Sequence, residues 1–227
     1  MPTARNRLAL EIFAPIAADY ERWSRTLSFW QDPRWRRMLV DGLDLPHGSL
    51  VLDVAAGTGL ISRLLAGQGY EVVSLDQSLP MLAKAGARGA AAVNARAETL
   101  PFPDKTFDGL TAGYLLRYLD DPLAGLRELA RVVRPGGRVG LLDFGRPRGL
   151  WGPLWRLYAG LGLPAAGALI SPGWRRVGGF LRASIEDFHR TWPKNELARL
   201  LNAAGLEDVR WANPSLGGGL LIWGTRP

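Results

Sequence analysis

The chain of 227 residues has no cysteine, which excludes disulfides, thiolate metal sites, iron–sulfur clusters and cysteine nucleophiles. His47 and His189 are its two histidines, too few to build a histidine metal centre. Lysine is confined to Lys84, Lys105 and Lys194, so the positive charge is almost wholly arginine. The opening segment MPTARNRLALEIFAPIAADYERW lacks the uninterrupted apolar core of a secretory signal, and the expected compartment is the cytoplasm. An apolar tract from Leu150 to Ile170 carries one charge, Arg156, over 21 residues. Its length would suit a membrane span, but Pro153, Pro164 and four glycines argue against one.

Apolar residues make up 47% and charged residues 22%, the balance of a globular domain with a full core. Lys plus Arg total 28 against 21 Asp plus Glu, a net charge of +7. That excess reflects either the amino-acid usage of a GC-rich genome or an anionic partner: nucleic acid, an anionic membrane surface or an acidic ligand. Nine tryptophans suit ligand pockets and membrane interfaces as well as cores, because each pairs an apolar body with a polar N–H.

Residues 1–45 read as helical, with Leu8, Ile12, Phe13, Ile16 and Ala17 at helical spacing and Trp35, Met38 and Leu39 following the Asp32-Pro33 break. From Ser49 short apolar runs alternate with helical stretches. Strands are expected at 50–55, 71–76, 90–94, 107–112 and 138–144, with a helix over 123–133 stopped by Pro135-Gly136-Gly137. Such alternation predicts a doubly wound α/β sheet. After a helix over 195–204, strands at 208–211 and 220–223 are joined by too short a linker for a crossover, so they should be antiparallel to each other. The expected fold is therefore a Rossmann-like sheet of seven strands with the last antiparallel. One domain is expected, made of a helical cap (1–45), a cofactor-binding core (46–145), a helical lid insertion (146–182) and a C-terminal helix with a strand pair (183–227). In the insertion, Trp151, Trp155 and Trp174 are interleaved with Arg146, Arg148, Arg156, Arg175 and Arg176, as in a lid over a greasy ligand or an interfacial segment.

The stretch Val51–Gly59 (VLDVAAGTG) passes from a buried strand into a helix N-terminus, where glycines let a ligand approach the backbone. A dinucleotide fingerprint wants a third glycine, but Ser62 stands there. Asp53, inside the strand, would repel a pyrophosphate and welcome an ammonium. Asp76, at the end of the second strand, is placed for ribose hydroxyls. Ribose plus an amino-acid ammonium without pyrophosphate points to S-adenosylmethionine.

Four further stretches carry a resemblance: Ala97–Asp108 (AETLPFPDKTFD), Leu126–Gly137 (LRELARVVRPGG), Ser184-Ile185 with the helix that follows, and Phe13 with Tyr20-Glu21. Together with Val51–Gly59 they make the chain similar to class I S-adenosylmethionine-dependent methyltransferases, and more closely to the ubiquinone/menaquinone biosynthesis C-methyltransferase family. The resemblance implies methyl transfer to a ring carbon of a quinol or phenol such as demethylmenaquinol. It puts Asp53, Gly57 and Gly59 at the methionine moiety, Asp76 and Gln77 at the ribose, and Arg96 and Ala97 beside adenine. Ala55, Thr58, Met81, Glu98 and Tyr114 complete the expected cofactor set. Arg96 replaces the Asp or Asn usual in the family, so either the base stacks on it or the Ala97 backbone reads the base. The family's Gly-x-Arg-Asn element reads Leu115-Leu116-Arg117-Tyr118 here, keeping the arginine and losing the asparagine. The final strand has Ile222 and Trp223 in place of the family's histidine.

Arg117 is the expected stabiliser of a phenolate, since a guanidinium is permanently cationic and rich in donors. Tyr20 and Tyr118 are candidates to hydrogen-bond the ring hydroxyls, and His189, read as lying near a helix start, is a candidate to accept the proton. The expected partners are a hydrophobic quinol or phenol and the inner face of an anionic membrane as a peripheral contact, with a homodimer left open and no nucleic acid. Two other functions stay open at this stage: an O- or N-methyltransferase of a soluble metabolite, and a non-catalytic S-adenosylmethionine-binding protein.

Overall fold

Strands β1 (Leu50–Val54), β2 (Glu71–Asp76), β3 (Ala91–Asn94), β4 (Phe107–Gly113), β5 (Val133–Phe144), β6 (Glu207–Ala212) and β7 (Gly219–Thr225) form one sheet. In the computed structural model, which describes residues 4–86 and 91–227, their order is β3-β2-β1-β4-β5-β7-β6. Strands β1 to β5 pair in parallel, and β7 runs antiparallel to both β5 and β6. The sequence expectation of seven strands with the last reversed holds. The expected first residue of the third strand, Ala90, lies outside the described residues. Because β1 sits between β2 and β4, the chain winds outward in both directions from it, and the crevice beyond the strand C-termini opens there.

Helices α1 (Ala4–Phe13), α2 (Tyr20–Leu27) and α3 (Gln31–Asp41) precede the sheet, and α4 (Leu60–Gly67), α5 (Leu79–Gly86) and α6 (Pro122–Arg131) connect its parallel strands. The α4 helix starts at Gly59, whose φ of +79° suits glycine, and an added Cβ there would meet Ala85 on α5 at 3.0 Å. On α6, Asp121 accepts from the Ala124 amide at 3.0 Å, with Pro122 opening the first turn.

The Pro135-Gly136-Gly137 stop falls inside β5 rather than before it. Phe107 pairs with Val133 and Gly109 with Arg138, so Arg134–Gly137 bulge out of the ladder. The bulge needs glycine: Gly136 has φ +79°, and a Cβ on Gly137 would lie 2.7 Å from the Asp108 carbonyl.

The ETLPFPDKTFD stretch is stapled to α6. Arg131 reaches Asp104 at 2.6 Å, Glu128 at 2.8 Å and the Phe102 carbonyl at 2.9 Å. Glu128 in turn accepts from the Leu100 amide, and Asp108 from the Leu50 amide.

After β5 come α7 (Trp151–Leu157), a π-helical turn (Tyr158–Gly162), α8 (Leu163–Ile170), α9 (Pro172–Thr191) and α10 (Lys194–Ala203). The α9 helix begins on a Ser171 cap and runs unbroken past residue 182, so it joins the insertion to the C-terminal part. No helix among the described residues is long and apolar enough to cross a membrane. Replacing Asp121 by alanine leaves the Ala124 amide without its cap and should destabilise folding by about 1 kcal/mol, read as a lower midpoint in urea at unchanged slope.

Candidate active site

Every loop at the C-terminal ends of β1 to β4 contributes to one cavity. Ala55, Gly57 and Thr58 line it after β1, Asp76 and Gln77 after β2, Ala97 and Glu98 after β3, and Tyr114 after β4. Met81 lines it from α5, and Phe13, Tyr20 and Arg36 close it from the N-terminal helices. Two non-glycine residues here hold left-handed backbone, Ala55 at φ +56° and Tyr114 at φ +60°, which marks imposed strain at the strand ends. Gly57 has φ +57° and open space where its side chain would be.

Asp76 accepts from the Gly57 amide at 2.8 Å through one oxygen and from the Ser78 amide at 2.7 Å through the other. Burial raises its pKa, opposed by those two amides. Each oxygen retains a lone pair, and the carboxylate can accept from vicinal hydroxyls in the cavity.

Asp53 does something different from what its place in the motif suggests. It is fully buried, does not line the cavity, and accepts from Ser62 Oγ at 2.6 Å and Thr111 Oγ1 at 2.9 Å. Ser62 also accepts from Ser74 at 2.8 Å. The residue that replaces a third glycine is thus the hub that ties β1, β2 and α4 together beneath the loop. Desolvation pushes the Asp53 pKa up to about 6, against the pull of these hydroxyl donors.

Arg96 also turns away. Its guanidinium faces Glu98 at 3.5 Å and Asp120 at 3.6 Å, leaving Ala97 rather than Arg96 on the cavity wall. Gly59 packs on Ala85 instead of lining the cavity.

A second cavity of about 340 Å³ adjoins the first, and Phe13, Tyr20 and Tyr114 line both. Its walls are Trp35, Phe144, Trp151, Trp155, Tyr158 and Trp174 with leucines and Ile185. Arg117 and Asp32 supply the charge on its wall. Arg117 Nε donates to Asp143 at 2.6 Å and Nη1 to Ser184 at 3.0 Å, and its guanidinium lies over the Phe144 and Tyr118 rings. Burial works against its charge, but the attraction of Asp143 outweighs that and holds the guanidinium above its usual range.

The residue that sequence reading missed is Arg36. Its Nε donates to both oxygens of Asp32 at 2.9 Å, and the Tyr114 hydroxyl donates to the same carboxylate at 2.6 Å. Arg36 is 6% exposed and lines the first cavity, Asp32 is 4% exposed and lines the second, and Arg36 Nη2 is buried without a hydrogen-bond partner. The signal that could have found the pair is an i,i+4 Asp–Arg spacing on the same face of α3 as the apolar Trp35, Leu39 and Val40, which is the buried face.

Tyr20 stacks on Trp174 with ring centres 6.2 Å apart. Burial raises its pKa, as it does for Tyr114, while burial pushes Tyr118 up to about 12. All three stay protonated at neutral pH and so are able to donate, Tyr114 to Asp32 and Tyr118 with its hydroxyl buried and unpartnered. Tyr118 lines the first cavity rather than the second and packs edge-on against Phe13. His189 is not near a helix start but in the last turn of α9, where its Nε2 meets the Phe144 carbonyl at 2.9 Å. It lines neither cavity, and burial lowers its pKa, so it is a neutral group bonded to backbone.

Residues 1–225 match the model of the ubiE/COQ5 methyltransferase family. The chain belongs to that family. It is 39% identical over 226 residues to the demethylmenaquinone methyltransferase of Mycolicibacterium vanbaalenii, covering 95% of this chain and 96% of the relative. Its fold is similar to that of a SAM-dependent methyltransferase of Thermotoga maritima, with a TM-score of 0.66, 21% identity, and coverage of 96% and 99%. It is likewise similar to phosphoethanolamine N-methyltransferase 2 of Haemonchus contortus in complex with S-adenosyl-L-methionine, with a TM-score of 0.62, 14% identity, and coverage of 86% and 52%. This ubiE/COQ5 methyltransferase is an enzyme that uses S-adenosylmethionine. The first cavity suits that molecule: a carboxylate for hydroxyls, an open glycine, and an unsatisfied guanidinium nitrogen for an acid group.

Between about pH 4 and 6 the folded methyltransferase binds a proton at Asp53 that the unfolded chain, with its ordinary value of 3.8, has already lost. Stability from this group is therefore present below 3.8 and falls as pH rises towards 6. Asp53→Asn should flatten that decline and gain up to about 3 kcal/mol at pH 7.5, measured by urea unfolding across pH.

Proposed function

We propose that the chain methylates a ring carbon of a hydrophobic quinol such as demethylmenaquinol, the reduced form of the demethylmenaquinone in its relative's name. The observation that carries this reading is the junction of a polar cavity with an aromatic one across Phe13, Tyr20 and Tyr114. When bound, S-adenosylmethionine supplies an electrophilic methyl group on a sulfonium. In this reading Asp76 accepts from its ribose hydroxyls, and the free Nη2 of Arg36 receives its carboxylate. Ala97 flanks the base, and Gly57 and Thr58 form the floor beneath the methionine chain. Asp53 is a positioning residue that holds the loop through Ser62.

The quinol ring lies in the second cavity, where aromatic walls exclude water and Arg117 faces a ring hydroxyl. An ionised hydroxyl pushes electron density onto the neighbouring carbon, which forms the new carbon–carbon bond as the sulfur–methyl bond breaks. The hydroxyl proton leaves to solvent before the transfer, and the carbon's proton then passes to the ring oxygen, which restores the hydroxyl and the ring's aromaticity. Arg117 lowers the hydroxyl's pKa by charge, and Tyr20 and Tyr114 donate to oxygen. Neither Arg117 nor Tyr118 takes the proton at neutral pH, since one is held cationic and the other protonated. A quinol with a long apolar tail is dissolved in membrane, so the enzyme works at that surface.

Methyl transfer from labelled S-adenosylmethionine to a short-tailed demethylmenaquinol, run beside a panel of soluble phenols and amines, tests the reading. Ring methylation of the quinol is expected, and turnover confined to the soluble panel would overturn it. Arg36→Lys keeps a cation beside Asp32 but loses the second arm of the fork, and should weaken cofactor binding about ten- to a hundredfold by calorimetry. Arg117→Gln should leave that affinity within about threefold while moving the pH profile of kcat/KM at least about one unit more alkaline, with Arg117→Lys restoring much of the shift.

A further inference from the structure

The wall of the aromatic cavity has an outside, and its chemistry is unusual. From Leu150 through α7, the π-helical turn and α8, the residues Leu150, Leu154, Leu157, Leu161 and Leu169 follow helical spacing and are all exposed. Leu150 is 94% and Leu169 91% exposed. This helical run is therefore apolar on both sides, one facing the cavity through Trp155, Tyr158 and Leu163 and the other facing solvent. A single-sided helix would carry charge on its outer face.

The Phe29-Trp30 turn extends the same surface. Both residues are exposed and both hold left-handed backbone, at φ 50° and 63°. The Phe29 ring packs on Tyr158 with centres 5.1 Å apart, and Arg25 lies over the Trp30 ring at 4.4 Å. Phe29, Trp151, Leu154 and Leu216 are exposed and also line the cavity, so the cavity mouth lies among them.

Charge around this surface has one sign. Between Asp143 and Glu186 the sequence has no acidic residue, while Arg146, Arg148, Arg156, Arg175 and Arg176 are all exposed. Two copies of such a face would repel each other, and a nucleic acid would have no use for the leucine stripe. An anionic lipid bilayer satisfies both features, with headgroup phosphates at the arginines and acyl chains at the leucines and tryptophans.

We propose that the outer face of Leu150–Leu169, with the Phe29-Trp30 turn, docks on an anionic bilayer and sets the cavity mouth against the membrane. The proposal rests on the quinol reading for its purpose, because a tail then passes from bilayer to cavity without crossing water. The surface itself is tested without any quinol. The intact chain should sediment with vesicles of phosphatidylglycerol and phosphatidylcholine, and at least about tenfold less with phosphatidylcholine alone or in 0.5 M salt, taken as about three times the physiological ionic strength.

Leu157 and Leu161 face solvent and do not line the cavity, so Leu157→Glu with Leu161→Glu should fold normally. This double variant should lose vesicle binding about tenfold or more while keeping wild-type affinity for S-adenosylmethionine and wild-type turnover of a short-tailed quinol. Equal binding to both vesicle types, or unchanged binding by the double variant, would overturn the proposal. So would a wild-type dimer, seen by analytical ultracentrifugation, that the variant abolishes while neither protein binds vesicles. Vesicle binding with no quinol turnover would uphold the surface and count against the substrate reading alone.

Discussion

The Arg36–Asp32 pair is the contact on which the arrangement of both cavities depends. It sits on a helix that precedes the sheet, yet it touches the loop after β4 through Tyr114, and Arg36 lines one cavity while Asp32 lines the other. Burying two charges costs several kcal/mol per ion, and only close hydrogen bonding offsets that. Here Nε serves both carboxylate oxygens and a tyrosine hydroxyl adds a third bond, so the pair is held in one geometry. The N-terminal helices are thereby docked on the strand ends by a directional contact, which apolar packing alone would not orient so narrowly.

A second buried pair, Arg117–Asp143, plays the matching part across the aromatic cavity. Asp143 lies on β5 and Arg117 in the loop after β4, so the sheet itself sets their spacing. One guanidinium therefore lines each of the two cavities, Arg36 the polar one and Arg117 the aromatic one, which share Phe13, Tyr20 and Tyr114. In so dry a region each charge acts at low dielectric, where a fixed cation favours an anion far more than it would in water. Arginine suits both positions because its fork can bond a carboxylate with one edge and keep another edge for a ligand.

Much of the architecture was legible in the residues. The strands expected at 50–55, 71–76 and 107–112 formed as β1, β2 and β4, and the short linker before Leu220 marked the reversal of β7. Asp76 and Ala97, singled out from the motif, both line the cavity. The readings that shifted did so because side-chain direction is a tertiary property. Asp53 points beneath its loop because Ser62 and Thr111 offer donors there, and Arg96 turns to Glu98 and Asp120. His189 sits at a helix end because α9 continues through residues that the pattern divided.

What the sequence determined by itself was the type and order of the elements and the location of the glycine loop, since hydrophobic period and turn chemistry are local. The motif residues also carried the family. Tertiary structure alone decided which arginines are buried and what they face. In a chain whose positive charge is nearly all arginine, nothing local separates Arg36 and Arg117 from the many that meet solvent. Desolvation and a carboxylate supplied by a distant strand or the next helical turn make that distinction, and both exist only once the chain has closed around them.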